Sequence, residues 1–317
     1  MNRKRLTIIC VRYSRLIILV LLFLFFSVST KTFWSPGNWS NIKNIVLQQA
    51  PFTILLALCM TMSIVLNGFD LSIGSAVALI SCVAGYILKW TNSPIYAVLA
   101  AMAMGCLIGL TNGLMIAKVK IPPFVATYSM QKILRGIALV LLGGKQIYDF
   151  GPAFRTLFIS NTWTFFLIMA AICVLVTVIL SKTVFGRSIY ATGINREAAR
   201  ISGIRTDSVV MKSYMLSGII IGLLSVMYIA NLGTAEPVIG EDFPITAIAA
   251  TLVGGTSIGG GSGKVSNAVI GSLIMLFLTN GMIQMNVPSV WQKVVVGGVI
   301  VFSIMVERLL FKISRDK

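Results

Sequence analysis

The chain has no histidine, only nine acidic residues among 317, and 11% charged residues in all. Without histidine it lacks the commonest metal ligand and the usual proton shuttle. A serine hydrolase would have no base here, and the few acids fall mainly at the edges of apolar runs, so no catalytic set can be assembled. Soluble domains carry about 25% charged residues, which excludes that class. Cysteine is sparse too. Cys10, Cys59, Cys82, Cys106 and Cys173 form no CxxC pair and mostly sit in apolar runs, as buried thiols do, so neither disulfides nor a metal site is expected. A phosphate-binding loop is also missing. The Gly-rich run ending at Gly263–Lys264 would need Gly at 258 and Ser or Thr at 265, where the chain has Ile258 and Val265. Gly144–Lys145 fails as well, because Gln146 follows. No cofactor is expected, and no ATP site of this kind.

What is abundant is apolar. Hydrophobic residues make up 57% of the chain, and mean hydropathy is +0.92, which marks an integral membrane protein. A net charge of +17 suggests nucleic acid in a soluble chain. Here the cations cluster at the ends of apolar segments, so topology and anionic headgroups explain them and no nucleic-acid partner is expected. The start, MNRKRLTIICVRYSRLIILVLLFLFF, is basic like a signal peptide, but its apolar core is too long and no A-x-A site follows. It is expected to stay as a first span.

A span needs about 20 mostly apolar residues. Ten segments qualify: 16–34, 49–67, 73–89, 94–117, 123–142, 163–181, 213–231, 245–258, 265–284 and 291–307. The expectation is an all-α polytopic membrane bundle in a single domain, 1–317, with both termini cytoplasmic. Charge supports that orientation: it puts 18 Lys and Arg inside and five outside (Lys31, Lys43, Lys89, Lys145, Arg155). Two longer segments, 143–162 and 232–244, then face outward, as connecting loops or docking surfaces.

The longest stretch that cannot lie in a membrane is Phe185–Arg205, inside the basic insert 182–212. Asn195 suits an N-cap, Glu197 the first turn, Ala198 and Ala199 a helix interior, and Gly203 a stop. One short surface helix of about two turns is expected there. Two Gly/Ser-bearing breaks, 67–80 and 254–271, each carry S-I-G, and each is followed by L-T-N-G (110–113, 278–281), a weak sign of duplicated architecture. Gly105, Gly109 and Gly113, like Gly218 and Gly222, have the spacing that lets helices pack closely. Asp70 is either a functional acid at a helix break or a cap for the next helix. Lys132 and Arg135 share one helix face and either line a cavity or snorkel from near the cytoplasmic end, the simpler expectation. Polar groups at span depth, Asn67, Ser72, Asn112, Gln131, Asn231 and Asn280 among them, suit a neutral polyhydroxylated solute, and each serves equally as interhelical glue.

Several segments together resemble the permease subunits of bacterial ABC importers for ribose and related monosaccharides. They are Asp70-Leu71-Ser72-Ile73-Gly74-Ser75, Gly109-Leu110-Thr111-Asn112-Gly113 and Lys120-Ile121-Pro122-Pro123-Phe124-Val125-Ala126-Thr127. Phe185-Gly186-Arg187, Ala191-Thr192-Gly193-Ile194-Asn195, Ala198-Ala199-Arg200-Ile201-Ser202-Gly203-Ile204 and the Gly-rich run Leu252–Gly261 follow in family order. Two stretches depart from the family pattern, Leu66-Asn67-Gly68-Phe69 and Tyr128-Ser129-Met130, where substrate or gating is tuned. The resemblance implies a bacterial inner-membrane protein with a second permease copy (identical or not), two ATP-binding cassette subunits and a periplasmic sugar-binding protein. It also implies that the insert holds a coupling helix, mapping to Asn195, Glu197, Ala198, Ala199, Arg200, Ile201 and Gly203. Related permeases import autoinducer-2 and nucleosides, so those solutes stay open. An ion-coupled secondary transporter is the rival from another class, and it lacks the mid-span acids and histidines it needs.

Overall fold

The computed structural model describes residues 3–35, 37–151, 153–154 and 163–315. Arg155, with the rest of 155–162, and Lys317 lie outside the described residues. Among those described, seven helices are long and apolar enough to cross a membrane, and three shorter apolar helices occur at Arg15–Ser29, Phe243–Val253 and Ser289–Met305. Each of the ten expected apolar segments contains a helix, although 30–34 and 254–258 are not helical. The chain is a polytopic helical membrane protein.

In order, α1 (Arg3–Ser29) precedes α2 (Ser40–Asn44), which runs through one π turn (Ile45–Gln49) into α3 (Ala50–Val65). Then come α4 (Ile73–Thr91), α5 (Pro94–Ala117), α6 (Pro123–Leu142) and α7 (Thr164–Lys182). The insert forms α8 (Val184–Ile194) and α9 (Arg196–Ile201). Finally α10 (Thr206–Leu232), α11 (Phe243–Val253), α12 (Val265–Gln284) and α13 (Ser289–Arg315) complete the bundle. Proline opens α3, α5, α6 and α11, where its missing N–H is an unpaired end group anyway.

Burial divides the helices. The span ending in α3 is 78% buried, whereas those of α5, α6 and α7 are each 28% buried, so α3 is the axis and the other three present long outer faces. The closest pair is α5 with α10. A Cβ on Gly105 would stand 2.0 Å from the Gly218 carbonyl oxygen, and one on Gly218 equally close to that of Gly105. The glycine spacing is therefore packing inside one chain.

The segment between α10 and α11 does not stay at the surface. A two-residue strand, β2 (Thr234–Ala235), pairs antiparallel with β1 (Ile147–Tyr148), joining the two loops expected on the outer side. Ala235 then abuts Gly85 of α4, and Gly240 abuts Gly74. Those positions are about 16 Å apart along α4 at 1.5 Å per residue. Residues 236–240 thus descend beside α4, and α11 starts at depth. With 11 residues, α11 spans only about half a hydrocarbon core, short of the 245–258 span expected. Beyond Val253 the chain turns through glycines to Lys264.

Arg135 explains how this descent is tolerated, and it corrects the snorkelling expectation. Its Nη1 donates to the carbonyl of Pro237 within the descending segment, so it supports irregular backbone at depth and does not reach for a membrane edge. The insert is corrected too. It is two helices and not one, because Asn195 (φ −155°, ψ 106°) breaks the chain between α8 and α9.

Gly105→Leu should force α5 and α10 apart, costing about 1–3 kcal/mol or more as an overpacked contact. A thermal melt in detergent checks this; an unchanged midpoint would show that the close approach is not needed.

Candidate coupling surface and polar core

The insert surface is built from local chemistry. Asn195 Oδ1 accepts from the N–H of Glu197 (3.0 Å) and of Ala198 (2.9 Å), capping α9 as its side chain favours. Arg200 Nε donates to Glu197 Oε2 (3.0 Å), with a second contact from Nη2 to Oε1. That guanidinium holds the exposed Glu197 carboxyl below its usual range. Gly203 takes φ +84°, while Ile204 N–H donates to Ala199 O (3.0 Å) and closes the helix. Ala199 alone of this set is buried; Asn195, Glu197, Ala198, Arg200, Ile201 and Gly203 all face out. Ile194 and Ile201 are 72% and 76% exposed, two large apolar side chains without cover on a charged surface.

Asp207, which no motif singled out, anchors this surface. Its carboxylate accepts from Lys120 (2.8 Å) and Arg196 (3.0 Å), with Lys118 at 3.9 Å. It therefore ties the start of α9 to the α5–α6 turn and the start of α10. These residues line a cleft of about 840 Å³ that also includes Glu197, Arg200 and Arg205. The one available signal was compositional: a rare acid among many cations.

The insert reaches inward through α8. Tyr190 Oη donates to Gly263 O (2.7 Å). Gly193 is wedged where the two breaks meet, since a Cβ there would stand 1.8 Å from Val65 O and 2.9 Å from Gly261 N. Gly261 N–H itself donates to Val65 O (2.8 Å). A second cavity, about 310 Å³, opens beside this knot and is lined by Asn67, Gly68, Asn195 and Tyr214 among others.

Three of the polar candidates form one buried chain. Asn112 Nδ2 donates to Ser72 Oγ (2.8 Å), and Ser72 Oγ donates to Asp70 Oδ1 (2.6 Å), which also accepts from Ser72 N–H (3.0 Å). Asp70 thus closes a turn just ahead of α4 and does not cap it, since no side chain accepts from the first N–H groups of that helix. Thr127 Oγ1 donates to Phe69 O (2.9 Å) and ties α6 to the same turn. The void beside this chain measures about 10 Å³, room for one water and far too little for a sugar.

The other candidates lie apart. Asn67 is exposed at φ +62°, Gln131 is half-exposed on α6, and Asn231 is exposed near the end of α10. Asn280 Oδ1 accepts from Asn41 Nδ2 (2.9 Å), so it joins α12 to α2 away from Asp70.

Asp70→Asn keeps the Oδ1 acceptor and should leave transport near normal, whereas Asp70→Ala strands the Ser72 hydroxyl and should cost about 1–3 kcal/mol in a thermal melt. Asp207→Ala removes partly exposed ion pairs worth about 0.2–1 kcal/mol each, so stability should barely change. Its effect should appear as weaker stimulation of a partner ATPase; full stimulation would mean that the anchor is dispensable.

The family described as branched-chain amino acid transport system / permease component matches residues 41–304. The ribose import permease RbsC of Escherichia coli strain K12 is 33% identical over 303 residues, covering 92% of each chain. That of Bacillus subtilis is 35% identical over 296 residues, covering 92% of this chain and 90% of its own. The autoinducer 2 import permease LsrC of Salmonella typhi is 31% identical, over 91% of this chain and 84% of its own. No solved structure matches. By the extent of these matches, the chain belongs to the family of branched-chain amino acid transport system / permease components.

Proposed function

We propose that this chain is the membrane permease subunit of an ATP-driven importer for a monosaccharide, a ribose-like pentose or a hexose. The observation that carries the reading is similarity over nine-tenths of the chain to ribose import permeases. The LsrC relative keeps autoinducer-2, another small polyhydroxylated solute, as the second reading.

In this reading the chain makes ten passes through a bacterial inner membrane with both termini cytoplasmic. The eighth pass combines the descending 236–242 segment with α11. Cations at 118, 120, 196, 200 and 205 gather at the α9 end, which supports placing that end inside. Two permease copies, identical or not, sit with two ATP-binding cassette subunits against α9 and a periplasmic sugar-binding protein against the opposite face. ATP is hydrolysed in the partner subunits.

The coupling residues are Asn195, Glu197, Ala198, Ala199, Arg200, Ile201 and Gly203, with exposed Ile194 and Ile201 as the apolar anchors of the contact. Nucleotide-driven closure of the ATPases moves α9. Because Asn195 joins α9 directly to α8, that displacement passes to the knot at Gly193, Val65 and Gly261. The two breaks then shift together and alternate the access of the passage. Asp70, Ser72 and Asn112 hold the first break in shape, while Asn67 and Gln131 stand nearer open space.

Reconstitution tests the assignment. Liposomes holding the permease, its ATPase and its binding protein should take up D-ribose with ATP. Uptake driven by an ion gradient in vesicles containing this chain alone would refute the importer reading. Arg200→Glu should lower substrate-stimulated ATPase several-fold while membrane insertion is unchanged.

A further inference from the structure

The outer face of α6 carries one side chain that a lipid-facing helix should not, Lys132. Phe124, Tyr128 and Lys132 recur every fourth residue and are exposed, with Gln131 and Arg135 beside them. The opposite face, Ala126, Thr127, Leu134, Ala138 and Leu142, is buried in the bundle. The rings of Phe124 and Tyr128 lie parallel (1°) with centroids 6.1 Å apart, and the Lys132 ammonium stands 5.2 Å from the Tyr128 centroid.

Lys132 is at the middle of its span. Pro123 lies nine residues before it and Leu142 ten residues after it, about 14 Å of rise to either end. A lysine snorkels to an interface from near a helix end, not from the centre. Lipid is therefore excluded as the neighbour of this ammonium. The chain itself does not cover it either, and Gly136, one turn on, has open space around it. In the importer reading, the neighbour left for this face is a water-filled passage whose other wall is the second permease copy. Arg135 is not part of this requirement, because its Nη1 is engaged by Pro237.

We propose that the Phe124–Tyr128–Lys132 stripe of α6 is a wall of the solute passage. Tyr128 gives a flat platform for the C–H face of a polyhydroxylated solute, and Lys132 and Gln131 bond its hydroxyls. The solute class rests on the importer reading above; the wet face rests on Lys132 independently. An aromatic face is apolar and slightly negative, which suits the C–H side of a sugar ring. Lysine offers three donors and glutamine offers both donors and acceptors, which suits hydroxyls. A solute that stacks on the Tyr128 ring displaces the ammonium from over it to its rim, where its donors meet the solute hydroxyls.

The test uses the complete importer in liposomes, with D-ribose as probe. In a Lys132→Cys variant, a membrane-impermeant sulfonated thiol reagent should react several-fold faster than in a Leu175→Cys variant, whose position is an exposed apolar one on α7. Saturating D-ribose with binding protein should slow that reaction. Tyr128→Leu should lower ATP-driven uptake several-fold, and Tyr128→Trp should retain it. Reaction of Lys132→Cys no faster than Leu175→Cys in every nucleotide state would overturn the wet wall. Unchanged uptake in Tyr128→Leu would overturn the platform. Rapid labelling in an importer that carries no D-ribose would instead overturn D-ribose as the solute while the wet wall stands.

Discussion

Backbone that leaves helical geometry inside a membrane must find its hydrogen bonds within the protein. Among the described residues this chain leaves helical geometry at 66–72, 236–242 and 254–264, and the groups so freed are met within the protein. Gly261 N–H donates to Val65 O, so the first and third breaks satisfy each other. Thr127 of α6 serves Phe69 O, and Arg135, also of α6, serves Pro237 O. Tyr190 of α8 and Asn267 of α12 take the carbonyls of Gly263 and Gly255. The irregular segments are thereby linked, and none can shift without displacing a partner elsewhere.

In the proposed coupling, that linkage decides how a push on the insert travels. Exposed pairs such as Glu197–Arg200 and those of Asp207 are worth about 0.2–1 kcal/mol each. Stripping a buried backbone group of its partner costs about 2–7 kcal/mol. A displacement at α9 therefore rearranges surface ion pairs before it opens the knot at Gly193, Val65 and Gly261. In the proposed coupling the knot moves as a body, and only Ile194 and Asn195 separate Gly193 from α9. Close contact makes that link stiff: Gly193 leaves no slack between the Val65 carbonyl and Gly261.

What was legible in the sequence follows the range of the interaction. The ten apolar segments could be read because burial in lipid needs only a continuous local run. The cap at Asn195 and the stop at Gly203 could be read because both are contacts within a few residues. Arg135 could not: its partner lies 102 positions away, and only the fold reveals that a carbonyl waits at mid-depth. Asp207 was hidden similarly, since two of its cations belong to the α5–α6 turn. The descent at 236–240 left a trace in Pro237, Gly240 and Pro244, but prolines and glycines mark surface loops equally well. The expected single insert helix became two because Asn195 is as good a break as it is a cap.

The repeated L-T-N-G motif shows why position in a span says little about an amide's role. Asn112 and Asn280 have the same neighbours and similar burial, and both bond another element. Helix α5 ends at Lys118, beside Asp207 and the insert, so Asn112 clamps the break near that side. Helix α12 starts beside the insert, next to Gly263, so its far end carries Asn280 to the opposite side, where Asn41 holds it. One motif therefore fastens the two ends of the bundle in opposite senses. The Asn112 Nδ2 and the Asn280 Oδ1 are engaged in these clamps, while Asn112 Oδ1 is buried without a partner. The outer face of α6 differs in exposure: there a mid-span ammonium has no partner but an aromatic ring and whatever fills the space beyond it.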